Sequence, residues 1–356
     1  MSKFKANQKH FQTKRHNASR MVTKFVSGSL LSGLLVMTAF SPVYAQSQAS
    51  NSATAPASTL AEQGFNEMAR ALRELNFEAT LVRSSGTRLE PMTWLHGTYS
   101  DGLEAELIVM LNGPDTRIVR LGEDTSYYFQ PTDDSYTLRS DVTYGLLPAA
   151  FYQNFAALQP HYQVRAAGRG VRVTGRETHY LRILSSDNDR YHYGLWIDSE
   201  SGMLLKMQMM TPQGEVLEQL QLTTFQERES MPISLSDLRG IPRPPRLHEL
   251  RQRQPLQFSI QPQWLPSGFK LLRQTHRNLA ATRLPTDYFL FSDGLTEVSV
   301  YVTEREAQSL PELGLQGPES IYNTSLQNHA ITVVGKLPVA TLQRIAENMA
   351  AAAPEQ

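Results

Sequence analysis

The chain contains no cysteine among its 356 residues. That absence excludes a thiol nucleophile, a thiolate metal site, a disulfide framework and a lipid-modified N-terminal cysteine. Lysine is scarce beyond the first 24 residues: only Lys206, Lys270 and Lys336 follow, so the positive charge there is almost all arginine. Arginine is the better residue for bidentate contact with carboxylate or phosphate. Long apolar runs are missing too. The stretch from Phe25 to Phe40 is broken by Ser27, Gly28, Ser29, Ser32 and Gly33, whereas a membrane span takes about 20 predominantly apolar residues. No other stretch is long and apolar enough to span.

What surrounds that stretch makes it an address. Lys3, Lys5, Lys9, Lys14, Arg15, Arg20 and Lys24 precede it without an acid, and Pro42-Val43-Tyr44-Ala45 follows. A basic start, a short apolar run and a small-x-small site predict a secretory signal peptide over residues 1–45. Residues 46–59, rich in Ser, Ala, Asn and Thr, read as a flexible leader. The whole chain balances 34 basic against 34 acidic residues; cleavage removes seven basic ones and leaves 27 against 34, a net charge of −7. A surface seeking nucleic acid is not indicated. An exported chain without disulfides has to rely on its apolar cores.

Catalytic patterns are also missing. None of His96, His161, His179, His192, His248, His276 and His329 forms a metalloprotease pair, and there is no G-x-S-x-G elbow after the presequence. Gly168, Gly170 and Gly175 are spaced for hairpins and not for a phosphate loop. Asp133-Asp134 belongs to a turn. His179 and His192 on neighbouring strands are the one arrangement that could hold a metal. The expectation is therefore no catalytic residue, no metal and no cofactor: the chain is not an enzyme.

About 310 residues after the presequence exceed what one core usually covers, so two domains are expected. Thr59 with Glu62 makes a capping box ahead of a helix over Leu60 to Leu75, with Phe65, Met68, Ala69 and Leu72 on one face. Eleven short alternating runs follow between Phe77 and Phe225, at Phe77–Val82, Thr93–Tyr99, Ala105–Leu111, Arg117–Leu121, Ser126–Phe129, Tyr136–Leu138, Val171–Val173, Tyr180–Leu184, Tyr191–Ile197, Leu204–Met210 and Val216–Phe225. Tight-turn residues separate them, which predicts an antiparallel meander. Tyr144, Leu147, Phe151, Phe155 and Leu158 recur at helical spacing inside it. The fold class is α+β: a curved sheet wrapped around helices, not required to close. Pro242, Pro244 and Pro245 mark a linker, assigned to 231–255. A smaller α+β domain at 256–352 has strands at Leu256–Ile260, Lys270–His276, Tyr288–Phe291, Glu297–Thr303 and Ile331–Val334, and a last helix carrying Val339, Leu342, Ile345 and Met349. Tyr127, Tyr128, Phe129 and Tyr136 crowd one region and Met203, Met207, Met209 and Met210 another. These are mainly core, and a half-open sheet lined by them would also suit an acyl chain.

Longer strings carry a resemblance. They include Ser126-Tyr127-Tyr128-Phe129-Gln130-Pro131, Leu146-Leu147-Pro148, Asp189-Arg190-Tyr191-His192-Tyr193 and Trp196-Ile197-Asp198-Ser199-Glu200-Ser201. In the second half they include Trp264-Leu265-Pro266-Ser267-Gly268-Phe269, Phe291-Ser292-Asp293-Gly294-Leu295 and Thr332-Val333-Val334-Gly335-Lys336-Leu337-Pro338. In this order the chain resembles the RseB/MucB family of periplasmic regulators of the envelope-stress sigma factor. The resemblance implies a large domain at 60–230 similar to the lipoprotein carriers LolA and LolB, an unclosed antiparallel barrel over helices, followed by a small domain. It implies binding to the periplasmic domain of a transmembrane anti-sigma factor, shielding of that factor from proteolysis, and release by lipopolysaccharide or mislocalised lipoprotein. A periplasmic lipid or lipoprotein carrier without a protein client is the alternative. Partner contact is expected on the small domain around Tyr288, Phe289, Phe291 and Leu295, because aromatic anchors dominate interfaces; core-facing strand positions are the competing explanation. Arg243, Arg246, Arg251 and Arg253 are the candidates for an anionic ligand such as the phosphates of lipopolysaccharide, against a merely solvated linker. Homo-oligomerisation is left open.

Overall fold

A computed structural model of the chain describes residues 57–131, 135–139, 145–159, 161–246, 256–278, 284–304 and 312–351. The expected signal peptide, the leader up to residue 56, the Asp133-Asp134 turn, Tyr144, His248, Arg251 and Arg253 lie outside the described residues. Helix α1 (Ala57–Glu74) starts three residues before the expected Leu60. Phe65, Met68 and Leu72 recur at helical spacing and are fully buried, so one stripe of the helix seals the interior.

Eleven antiparallel strands follow: β1 (Asn76–Ser85), β2 (Arg88–Thr98), β3 (Glu104–Met110), β4 (Thr116–Leu121), β5 (Asp124–Phe129), β6 (Tyr136–Arg139), β7 (Tyr162–Arg169), β8 (Thr178–Ser185), β9 (His192–Asp198), β10 (Leu204–Met210) and β11 (Val216–Arg228). They form one sheet in the order β6-β5-β4-β3-β2-β1-β11-β10-β9-β8-β7. The first and last strands pair in the middle, Asn76 opposite Arg228. The consecutive strands β6 and β7 become the two outer edges, and the sheet does not close between them.

Two expectations shift. Val171–Val173 is not a ladder strand; Val173 makes an isolated bridge with Arg176, and the strand lies earlier, at Tyr162–Arg169. Only Tyr162 and Val164 of that strand are buried, and five exposed residues follow, so its alternation lasts too briefly to register. The helical spacing from Tyr144 to Leu158 yields two 3-10 turns, Ala149–Tyr152 and Phe155–Leu158, in place of one helix. Gln153 between them is extended, and the Asn154 side chain caps the second turn from Ala156 N at 2.9 Å. This connection has to run between the two distant sheet edges while burying Phe151, Tyr152, Phe155 and Leu158. Phe65 of α1 meets Phe151 and Phe155 edge-on at centroid distances of 5.9 and 5.2 Å.

After β11 the chain crosses the opposite face of the sheet. Leu235 and Leu238, in two short 3-10 turns, pack with Leu95, Ala105, Val119 and Leu121 in a second apolar cluster. The proline segment then follows the β6 edge: Thr137 donates its amide to Pro245 O and its hydroxyl to Pro244 O, both at 2.9 Å. This covers donors that an edge strand otherwise leaves open.

The second sheet is six-stranded, in the order β13 (Lys270–Asn278), β14 (Pro285–Ser292), β15 (Glu297–Glu304), β18 (His329–Gly335), β17 (Ser320–Leu326) and β16 (Leu313–Leu315). A short pair, β12 (Ile260–Pro262) with β19 (Met349–Ala351), lies beside it. Helix α2 (Val339–Glu347) packs Leu342 and Ile345 on Val298, Val300, Val302, Ile331 and Val333. The strands β16, β17 and β19 were not anticipated: Leu313, Gly314 and Leu315 are all exposed and have no alternation to read. No helix among the described residues is long and apolar enough to cross a membrane.

Candidate functional site: the joint between the two sheets

The hairpin Ser292–Thr296, between β14 and β15, leaves its own sheet and enters the large one. Leu295 is 4% exposed and packs in the large-sheet core with Phe151, Tyr193, Met207 and Met209. Ala150 donates its amide to Gly294 O at 2.9 Å. Gly294 has φ +91°, a turn conformation that favours glycine. The Asp293 side chain beside it is fully buried and binds in both directions. Its Oδ1 accepts the amides of Leu295 (3.0 Å) and Thr296 (2.9 Å), while Oδ2 accepts Tyr162 Oη (2.7 Å) and Arg190 Nε (2.8 Å) from the large sheet.

Arg190 is itself 1% exposed. Its remaining nitrogens donate to Asp187 and to Ser267 O, and its guanidinium faces the Tyr162 and Phe269 rings at 5.5 and 5.3 Å. Burial, and then the Asp293 carboxylate, push the Tyr162 phenol well above its ordinary range, so it remains a donor. Burial alone would raise Asp187, but its bond from Ser185 and the charge of Arg190 hold it below the usual carboxylate range.

Further contacts surround this centre. Lys336 Nζ donates to Glu218 Oε2 at 2.7 Å, and Thr341 Oγ1 to Asp189 O at 3.0 Å. Tyr191 Oη lies 3.2 Å from Ser320 Oγ and accepts from Gln316. A Cβ added at Gly268 would stand 2.3 Å from the His161 ring, so the loop approaches to backbone contact, which only glycine allows. Beside the hairpin runs a cleft of about 690 Å³, whose walls include Leu147, Leu158, Met207 and Leu272 with Lys270 and Lys336. That size falls within the range of small-ligand sites.

The residues singled out from sequence lie in several places. Tyr288, Phe289 and Phe291 are buried in the small unit, at 7%, 1% and 7% exposure, and Leu295 is buried in the large one. Arg243 and Arg246 both reach Asp124 Oδ2, at 2.8 and 2.5 Å. The histidine pair does not come together. His179 is opposite Ile197 near the end of β9, whereas His192 starts that strand and accepts Ser185 N at 3.1 Å. Among the described residues no group of three or more His, Cys, Asp or Glu could hold a metal ion.

Tyr162, Arg190, Asp293 and the Lys336–Glu218 pair were not singled out. The signal was nonetheless present. The strings Asp189-Arg190-Tyr191, Ser267-Gly268-Phe269, Ser292-Asp293-Gly294-Leu295 and Gly335-Lys336-Leu337, which carry the family resemblance from distant parts of the sequence, converge on this one joint.

Two family models cover the described chain: the MucB/RseB N-terminal domain matches residues 60–246 and the MucB/RseB C-terminal domain residues 253–350. The chain belongs to the MucB/RseB family. Among curated relatives, the sigma-E factor regulatory protein RseB of Escherichia coli K12 is 30% identical over 299 residues, which is 84% of this chain and 93% of the relative. The sigma factor AlgU regulatory protein MucB of Pseudomonas aeruginosa is 25% identical, covering 80% of this chain and 89% of its own. The solved complex of Pseudomonas aeruginosa MucA and MucB has a chain that matches with a TM-score of 0.65 at 23% identity, over 82% of this chain and 99% of that one. MucB alone matches with a TM-score of 0.56 at 24% identity. At these identities the structural likeness is one of fold, and it extends to the large open sheet followed by the smaller one.

Proposed function

We propose that this MucB/RseB family member is a periplasmic negative regulator of a sigma-E/AlgU-type envelope stress response. It binds the periplasmic domain of a membrane anti-sigma factor and shields that factor from regulated proteolysis. An acylated ligand, lipopolysaccharide or mislocalised lipoprotein, releases it. The observation that carries this reading is the match of both halves to one regulatory family, with relatives named for sigma-factor regulation along more than four-fifths of their length.

Within it, residues 60–230 act as the lipid-sensing domain and 256–352 as the anti-sigma-factor-binding domain, with 231–255 joining them. Tyr288, Phe289 and Phe291 support the binding surface from inside, because their own side chains are buried. An anionic headgroup reaches Arg243 and Arg246 only in competition with Asp124. Release requires that the ligand bind the free regulator better than the complexed one.

Calorimetric titration of residues 46–356 with the periplasmic segment of the anti-sigma factor from the same genome tests this. Saturable binding at micromolar affinity or better, about 8 kcal/mol, is expected, weakened by lipopolysaccharide. An absence of saturable binding would overturn the regulator and leave the lipid carrier.

A further inference from the structure

The hairpin at the joint has the properties of a removable stopper. From this we infer that Ser292–Thr296 is a resident plug, and that an acyl chain and the hairpin exclude one another from the part of the large-sheet core that Leu295 fills. The inference rests on the reading that this sheet takes an acylated ligand. Leu295 is the plug's apolar tip: it belongs to the core of the other unit, next to Met207 and Met209, and lines the cleft. Met207 and Met209 line the same cleft, so a chain lying against them contends with Leu295 for that space.

The fastenings around Leu295 are polar, and each half keeps partners when they part. Arg190 retains Asp187, which is held by Ser185 Oγ and carries the Asp189 amide. Asp293 retains the amides of Leu295 and Thr296, so the withdrawn turn keeps its shape. Neither charge is orphaned in an apolar interior, the usual obstacle to opening a buried ion pair. Tyr162, Glu218 and Lys336 can exchange their partners for water. Withdrawal frees the Ala150 amide from Gly294 O and opens the hollow vacated by Leu295, which is apolar and poorly filled by water. An acyl chain satisfies that hollow. Closure therefore lowers apparent ligand affinity by the fraction of molecules that are closed.

The test uses residues 46–356 with Ala150→Cys and Gly294→Cys. A Cβ at Gly294 lies 3.8 Å from that of Ala150, inside the disulfide range of about 3.5–4.5 Å, and no native cysteine competes. The positive φ at position 294 strains the oxidised and reduced forms alike, so their ratio isolates closure. The probe is cis-parinaric acid, read by its fluorescence. Oxidation is expected to weaken binding at least about tenfold relative to the reduced protein, and Leu295→Ala to tighten it at least about threefold relative to the native sequence. If reduced and oxidised forms bind equally, or Leu295→Ala binds no tighter, the plug is overturned while the acyl-ligand reading stands. If neither the native sequence nor any variant binds the probe, both fall together.

Discussion

Two buried arginines invite comparison. Arg120, 2% exposed on β4, is held by Glu104 and Glu106 of the adjacent β3: its Nε meets Glu106 at 2.9 Å and its Nη1 meets Glu104 at 2.9 Å. Trp94 Nε1 donates to Glu106 at 2.5 Å, and His96 lies 3.0 Å from Glu104, both from β2. Arg190 has the same composition, one guanidinium between two carboxylates, but its carboxylates belong to different units. In the first network neighbouring strands and their backbone ladder hold every member in place, so a lost partner cannot be replaced by water without opening the sheet. In the second, partners separate along a surface. The same chemistry thus acts as a fixed part of one core and as a fastening between two.

The sharpest break of that contrast is Glu106→Leu, which takes the acceptor from the Arg120 Nε–H and the Trp94 N–H inside the sheet while Glu104 still holds the other two guanidinium nitrogens. It should lower unfolding stability by about 3–5 kcal/mol, measured from the denaturant midpoint, and Arg120→Met added to it should recover most of the loss. A cost below about 1 kcal/mol would mean that the sheet opens as easily as the joint.

Acid probes the same network. Burial alone would raise Glu104, but its bonds from His96 and Arg120 outweigh that and hold it at about 2, against an ordinary value of 4.5. A carboxyl depressed in the folded state contributes stability that is present above the unfolded value and lost as pH falls through the folded one. Unfolding stability should therefore drop by roughly 2–3 kcal/mol between pH 4.5 and 2, and Glu104→Gln should flatten that part of the profile. A slope unchanged in the variant would assign the acid sensitivity elsewhere.

At the joint the expected effect is smaller and of another kind. Asp293→Ala removes the bridge, but Arg190 keeps Asp187 and gains water as the units part. The global midpoint should fall by about 1–2 kcal/mol, while the radius of gyration from small-angle scattering increases. A fall as large as that of Glu106→Leu, without expansion, would erase the distinction. Smallest of all, Arg243→Ser with Arg246→Ser should cost no more than about 1 kcal/mol, because both guanidinium groups are about half exposed and their attraction to Asp124 is screened by water.

Much of the fold was legible because its signals are local. Phe65, Met68 and Leu72 mark α1 by helical spacing, and ten of the eleven expected strands of the large sheet lie where alternation and turn residues put them. Strand β7 and the two 3-10 turns escaped because they obey the edges they connect more than their own periodicity. The site was legible only in part. Phe289 and Phe291 alternate as core strand residues would, and they are core. Leu295 reads the same way, yet it serves the other unit's core.

By itself the sequence determined the absence of thiol chemistry, the helix, most of the strand segments, the open antiparallel class and, through its longer strings, the family. Tertiary structure alone decided that β1 pairs with β11, that β6 and β7 become distant edges, and that Arg190, Tyr162 and Asp293 meet. Spacing along a chain encodes which face of an element is apolar, because that repeats every two or 3.6 residues. It does not encode which distant surface receives that face; the partner is chosen only when the whole chain has packed, and a buried charge gains its counterpart only there.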